Sequence, residues 1–149
     1  MTADLQFRPL KAPLSNKQLL AWRKDAEMEG ATPQNKAHDP RGKVQWVSVE
    51  AKGKQIGIAR LELAPPEFCF VSELIISSKF RRQGIGHWFL NRIEQYCLSQ
   101  SIRRLVLEAR EGTDSFYKSQ LFINDPYLPH LLKKDINPFQ RKVFSPLYS

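Results

Sequence analysis

The segment SSKFRRQGIG, residues 77–86, constrains this chain more than any other. It lies between an apolar stretch ending Leu74-Ile75-Ile76 and a helical repeat that begins at Ile85. Gly84 and Gly86 allow φ values that residues with a Cβ resist, so main-chain N–H groups can converge there. At a helix N-terminus, unpaired donors and the helix dipole form an anion site, and Lys79, Arg81 and Arg82 add charge around it. A phosphate is the natural ligand. The turn is not a Walker loop, because no Gly-Lys-Ser/Thr follows, and not a dinucleotide fingerprint, because a third glycine and the later ribose-binding acid are missing. Two glycines alone could serve any tight strand-to-helix turn, so the neighbouring elements must decide.

Residues 67–77 end with both faces apolar, as a buried central strand does. Ile85, Phe89, Ile93 and Tyr96 or Cys97 recur at three and four residues, with Asn91, Arg92, Glu94 and Gln95 opposite, which predicts an amphipathic helix over 85–99. Residues 44–51 and 55–63 are β-type stretches joined by Lys52-Gly53-Lys54, and Pro65-Pro66 opens the next strand, so three neighbouring antiparallel strands are expected. Upstream, residues 4–9 read as a short strand. Ser15 and Gln18 predict a capped helix with Leu19, Trp22 and Ala26 on one face, ending at Gly30 before a loop over 31–42. Downstream come a strand over 104–109, a short helix near 114–120, and extended segments around 122–134 and 138–144. The sum is an α/β chain.

With 149 residues, 42% of them hydrophobic, one domain spanning 1–149 is expected. No apolar run approaches the roughly 18 residues that cross a bilayer. MTADLQFRPLKAP holds no apolar stretch for a secretory signal, so a cytoplasmic location is expected. Cys69 and Cys97 sit in apolar stretches and read as core thiols. A net charge of +8 suits a nucleic acid, an acidic lipid surface or a phosphate-rich cofactor. A ribonucleoprotein aromatic signature and zinc-finger spacing are both absent. His38, His87 and His130 share no metal-ligand spacing, so no metal is expected. His87 reads as a solvated or phosphate-side residue, and His130 as a turn histidine that could line the acceptor end of a cleft.

With its flanking elements, ELIISSKFRRQGIG resembles the acetyl-CoA motif of the GNAT-type N-acetyltransferase superfamily: Arg or Gln, two residues, Gly, one residue, then Gly or Ala. Here these are Arg81, Gly84 and Gly86. WVSVEAKGKQIGIARLEL, with Gly57, looks like the family's second and third strands, and RRLVLEA like its fifth. FYKSQLF, residues 116–122, is similar to the family's FYxxxGF segment, and YLPH resembles a Pro-His ending of some members. Two departures stand out: Leu121 replaces the usual glycine, and Ser78 stands where proline is frequent.

The resemblance implies a GNAT-like fold: a mixed, mostly antiparallel sheet splayed between strands 4 and 5, with flanking helices. Acetyl-CoA would be the co-substrate, its pantetheine on the exposed edge of Leu74, Ile75 and Ile76. Its pyrophosphate would lie on the N–H groups of Arg81, Arg82, Gln83, Gly84, Ile85 and Gly86. The implied reaction is direct acetyl transfer to a primary amine of a small molecule or peptide. An alkyl ammonium of pKa about 10.4 must first lose its proton, a deficit of roughly 4–5 kcal/mol at pH 7. Glu73 is the candidate base, directly or through a water. An acid in a central strand equally suits an ion pair with a core arginine, and Glu108 is the reserve base. A backbone N–H at Ile75 or Ile76 would stabilise the oxyanion. Tyr117 would protonate the leaving sulfur, or else pack beside Phe116 and Phe122. No nucleophile-elbow serine occurs, and Cys97 lies on the apolar helical face, so no covalent intermediate is expected. A basic nucleic-acid-binding module and a GNAT-like acyl-CoA-binding domain without transfer are the alternatives. No membrane partner is expected, nucleic acid is disfavoured, and a homodimer stays open.

Overall fold

The computed structural model describes residues 4–26 and 43–136. The expectations for Gly30, residues 31–42, His38 and residues 138–144 lie outside the described residues. In chain order the elements are β1 (Leu5–Pro9), α1 (Asn16–Asp25), β2 (Lys43–Ala51), β3 (Lys54–Ala64), β4 (Phe68–Ile76), a 3-10 turn (Ser78–Phe80), α2 (Ile85–Ser99), β5 (Arg104–Leu107), α3 (Asp114–Ser119), β6 (Ile123–Asn124) and β7 (Leu132–Asp135). The capping box at α1 is formed: the Gln18 N–H donates to Ser15 Oγ, and the Ser15 N–H donates to Gln18 Oε1.

The strands form one sheet in the order β1-β2-β3-β4-β5-β7-β6. Neighbours run antiparallel except β4 and β5, which are parallel. The larger core lies on the α2 side, where Phe89, Leu90, Ile93 and Cys97 pack on Val47, Leu61, Cys69 and Val71. The opposite face holds a smaller cluster of Leu19, Trp46, Ile58 and Ile75. The segment expected as one extended run over 122–134 is instead two short paired strands, Ile123 opposite Lys133 and Asn124 opposite Leu132. Asp125 turns the chain there by accepting the N–H groups of Tyr127 and Leu128.

Two features of β4 position the cleft. Its pairing with β5 covers only Cys69, Phe70 and Val71, so Ser72 to Ile76 have no β5 partner. Next to that break, β3 residues Arg60 and Leu61 pair with Glu73 and Val71, leaving Ser72 as an extra bulged residue. The bulge reverses the strand's faces. Cys69 and Val71 belong to the α2-side core, whereas Ile75 belongs to the other cluster and Leu74 and Ile76 take the α2 side.

Candidate active site

The splay opens a cleft of about 650 Å³ between the free half of β4, the first turn of α2 and the loop from β5 into α3. One end holds the residues expected to form an anion site. Gly84, at φ +80°, caps α2 in the left-handed region. The Trp88 N–H is bonded to the Gly84 carbonyl at 3.1 Å, so the N–H groups of Ile85, Gly86 and His87 have no acceptor within the helix. Arg81 and Arg82 line the cleft beside them. Gln83 and Ile85 turn their side chains elsewhere: the Gln83 amide reaches the Lys79 carbonyl at 3.5 Å, and the Ile85 side chain is buried in the core. The departure at Ser78 has a physical reason. Its N–H and hydroxyl both donate to Asp25 at 2.8 Å, bonds that a proline could not supply, and they hold the Asp25 carboxyl below its ordinary range.

The free edge of β4 follows strand alternation. Ser77 donates its N–H to Ile56 on β3, so the main chain of Ile75 also faces β3, while Leu74 and Ile76 turn their N–H and C=O toward the cleft. The Ile76 carbonyl accepts from Arg81 Nε at 3.4 Å. Of the two oxyanion donors expected from sequence, only Ile76 has its N–H on the open side.

At the other end lie Glu73, Glu108, Arg110 and Tyr117. The Glu73 carboxylate is bound by Arg23 of α1 through two bonds, 2.8 Å from Nη2 to Oε1 and 3.2 Å from Nε to Oε2, with side chains 5% and 3% exposed. Arg110 adds a 3.4 Å contact from across the splay. The contacts of Glu73 are therefore those of an ion-paired core acid. Glu108, in contrast, is exposed on the cleft and has no side-chain partner among the described residues.

Tyr117 is nine-tenths buried, its ring meeting the edges of Phe116 and Phe122 at centroid distances of 5.0 and 5.6 Å. Its hydroxyl has no hydrogen-bond partner among the described residues. Burial pushes the phenol up to about 12, against the opposing pull of the Arg110 guanidinium. Leu121, where the family has glycine, still makes the turn after α3, at φ +74°. Its N–H bonds the Lys118 carbonyl and the Phe122 N–H bonds the Tyr117 carbonyl, a Schellman ending.

Cys69 and Cys97 are free buried thiols, and Cys97 and burial together push the Cys69 thiol up. The described residues contain no group of three metal-ligating side chains, and no described helix is long and apolar enough to cross a membrane. Arg23 and Arg110 were not singled out in the sequence. Arg23 could have been, since it stands four residues after Leu19 on the predicted buried face of α1.

A parallel pair of strands parted over a glycine-capped helix defines a class. The chain belongs to the acetyltransferase (GNAT) family, whose sequence pattern matches residues 12–121. No curated protein matches the sequence. Its fold is similar to that of the ribosomal-protein-S18-alanine N-acetyltransferase from Escherichia coli, at 15% identity over 89% of this chain and 94% of that one, with a TM-score of 0.61. A GNAT family acetyltransferase from Elizabethkingia anophelis with acetyl-CoA bound is similar at 14% identity over 90% and 99%, TM-score 0.58. The PaiA N-acetyltransferase from Thermoplasma acidophilum in complex with coenzyme A is similar at 16% identity over 62% of this chain, TM-score 0.55, and this chain spans 60% of its length. These likenesses show the fold, including the mixed sheet and its flanking helices.

Proposed function

We propose that this chain transfers an acetyl group from acetyl-CoA directly to a primary amine of a small molecule or peptide. The observation that carries the reading is a cleft in which the unpaired edge of β4 runs between an open helix N-terminus and the side chains of Glu108 and Tyr117. Leu74 and Ile76 offer main-chain bonds to an extended pantetheine, and the N–H groups around Gly84 and Gly86, with Arg81 and Arg82, take the pyrophosphate. Family membership and the coenzyme-bound neighbours support acetyl-CoA as the co-substrate.

Glu108 is the better base, because its carboxylate is unpartnered while Glu73 is committed to two guanidinium groups. It takes the ammonium proton, directly or through a water. The amine attacks the thioester carbon, and the Ile76 N–H, already oriented, stabilises the oxyanion. As the C–S bond breaks, the Tyr117 hydroxyl hydrogen-bonds or protonates the sulfur. A phenol raised to about 12 stays protonated at neutral pH, as a donor must. Arg23 and Glu73 hold α1 against β4 and so keep the floor of the cleft in place.

Acetyl-CoA-dependent thiol release, screened over amines, polyamines, amino acids and peptide N-termini, tests the reaction. Coenzyme binding without turnover on any of these favours an acyl-CoA-binding domain, and salt-dependent RNA retention without coenzyme binding favours a nucleic-acid module. On the best acceptor, Glu108→Gln should lower kcat by about 10²-fold and move the rising limb of the pH-rate profile upward. A loss confined to Glu73→Gln, with stability intact, would return the base role to Glu73.

A further inference from the structure

The first turn of α2 meets α3 at two points. At Gly86 the space is taken by Phe116, whose ring would stand 3.4 Å from a Cβ built there. One residue on, His87 Nδ1 hydrogen-bonds Oε1 of Gln120, the residue that ends α3. The polarity of that bond is fixed by its neighbours. Gln120 Nε2 donates to Ser119 Oγ at 3.2 Å, and Ser119 Oγ donates to the Phe116 carbonyl at 2.6 Å. The Gln120 amide therefore turns its oxygen to His87, and Nδ1 carries the hydrogen. A directed chain runs from His87 through Gln120 and Ser119 to Phe116, the residue before Tyr117.

We propose that His87 and Gln120 clasp α3 to the first turn of α2 and so place the Tyr117 hydroxyl in the cleft, making His87 a positioning residue for the proton donor rather than a ligand of the coenzyme phosphates. The inference rests on the reading of Tyr117 as the leaving-group donor. α3 has six residues and no side-chain cap at Thr113, too little to hold itself as a helix. Edge contacts to Phe116 and Phe122 orient the Tyr117 ring but fix no polar atom. The bond to Gln120 occupies Nδ1, so the nitrogen nearer the backbone serves α3 and only Nε2 is left to face the coenzyme. Because the same turn receives the phosphates and carries the clasp, coenzyme binding and donor placement share one support.

The test measures acetyl transfer, acetyl-CoA affinity and amide hydrogen exchange over residues 114–119 in the wild type, His87→Ala and His87→Asn, each with and without Tyr117→Phe. His87→Ala should lower kcat about 3- to 10-fold, leave the acetyl-CoA dissociation constant within about 2-fold, and quicken exchange over 114–119 but not along α2. His87→Asn, whose amide nitrogen reaches the place of Nδ1, should restore both. With Tyr117→Phe present, His87→Ala should cost no further rate. Weaker coenzyme binding with kcat intact would make His87 a phosphate ligand after all, and an equal rate loss in the Tyr117→Phe background would separate it from the donor. Should Tyr117→Phe itself leave kcat unchanged, the donor reading falls, and unaltered exchange over 114–119 in His87→Ala would overturn the clasp as well.

Discussion

Replacing Arg23 by methionine tests what holds the floor of the cleft. The change leaves the Glu73 carboxylate, 3% exposed, with Arg110 as its remaining cationic contact, at 3.4 Å and from a side chain 42% exposed. Removing one partner of a buried pair costs about 3–5 kcal/mol. Arg110 can draw closer to the orphaned acid, so the lower end, about 3 kcal/mol, is expected. For a domain of this length that lowers Tm by about 6–12 °C. Glu73→Met should be no milder, because it strands a buried guanidinium whose Nη1 already lacks a partner. The double variant replaces both charges by apolar chains and should recover most of the loss, a coupling of at least about 2 kcal/mol. Urea denaturation of the four proteins, with melting curves beside it, supplies the cycle. Losses that add within about 0.5 kcal/mol would refute the argument that the pair acts as a unit. The same cycle guards the kinetics: a slow Glu73 variant that is also unstable says nothing about a base.

Tyr117→Phe should lower single-turnover rate by about 10-fold while acetyl-CoA affinity changes little. Because its folded phenol, at about 12, lies above the ordinary 10, Tyr117 adds stability that is full below pH 10 and is lost as pH rises toward 12; Tyr117→Phe should flatten that fall in alkaline melts. Leu121→Gly should stabilise by about 0.5–1 kcal/mol, since a left-handed non-glycine residue costs roughly 1–2 kcal/mol, glycine's unfolded freedom returns about half, and the leucine is 74% exposed. A measured loss of stability would show that the leucine packs against something. Acetyl-CoA at 100 times its dissociation constant should raise Tm by about 5–10 °C, and Gly84→Val should abolish the shift by refusing φ +80°, although no atom lies within 4 Å of a Cβ there. Normal binding by that variant would put the phosphate site elsewhere.

What could be read from the sequence was what repeats or breaks locally. The period of Ile85, Phe89 and Ile93 gave α2 its bounds of 85–99, and Ser15 with Gln18 marked the start of α1. Gly84 could be identified because a left-handed cap has few alternatives to glycine. Contacts between distant segments left weaker marks. Glu73 was equally suited to base and ion pair until Arg23, fifty residues earlier, was found against it. The clasp from His87 to Gln120 joins two polar residues of ordinary kind across thirty-three positions, and no periodicity announces it. At Leu121 local preference pointed to glycine, and the Schellman bonds at the end of α3 overrode it.

Ser72 acts on β4 as a parity switch. A strand assigns its faces by odd and even position, and one extra residue exchanges the two sets for everything that follows. Val71 and Ile75, four apart and nominally in phase, therefore serve opposite layers of the protein. Deleting Ser72 would leave Val71 and Glu73 adjacent on opposite faces, as their β3 partners Leu61 and Arg60 already are, and would keep every face of the second half. Straightening the bulge with Ser72 kept in regular register would instead turn Glu73 into the apolar layer under α2, away from Arg23, and thrust Leu74 and Ile76 beneath α1. Position 72 is therefore where β4 absorbs one residue while the faces on either side of it stay in place.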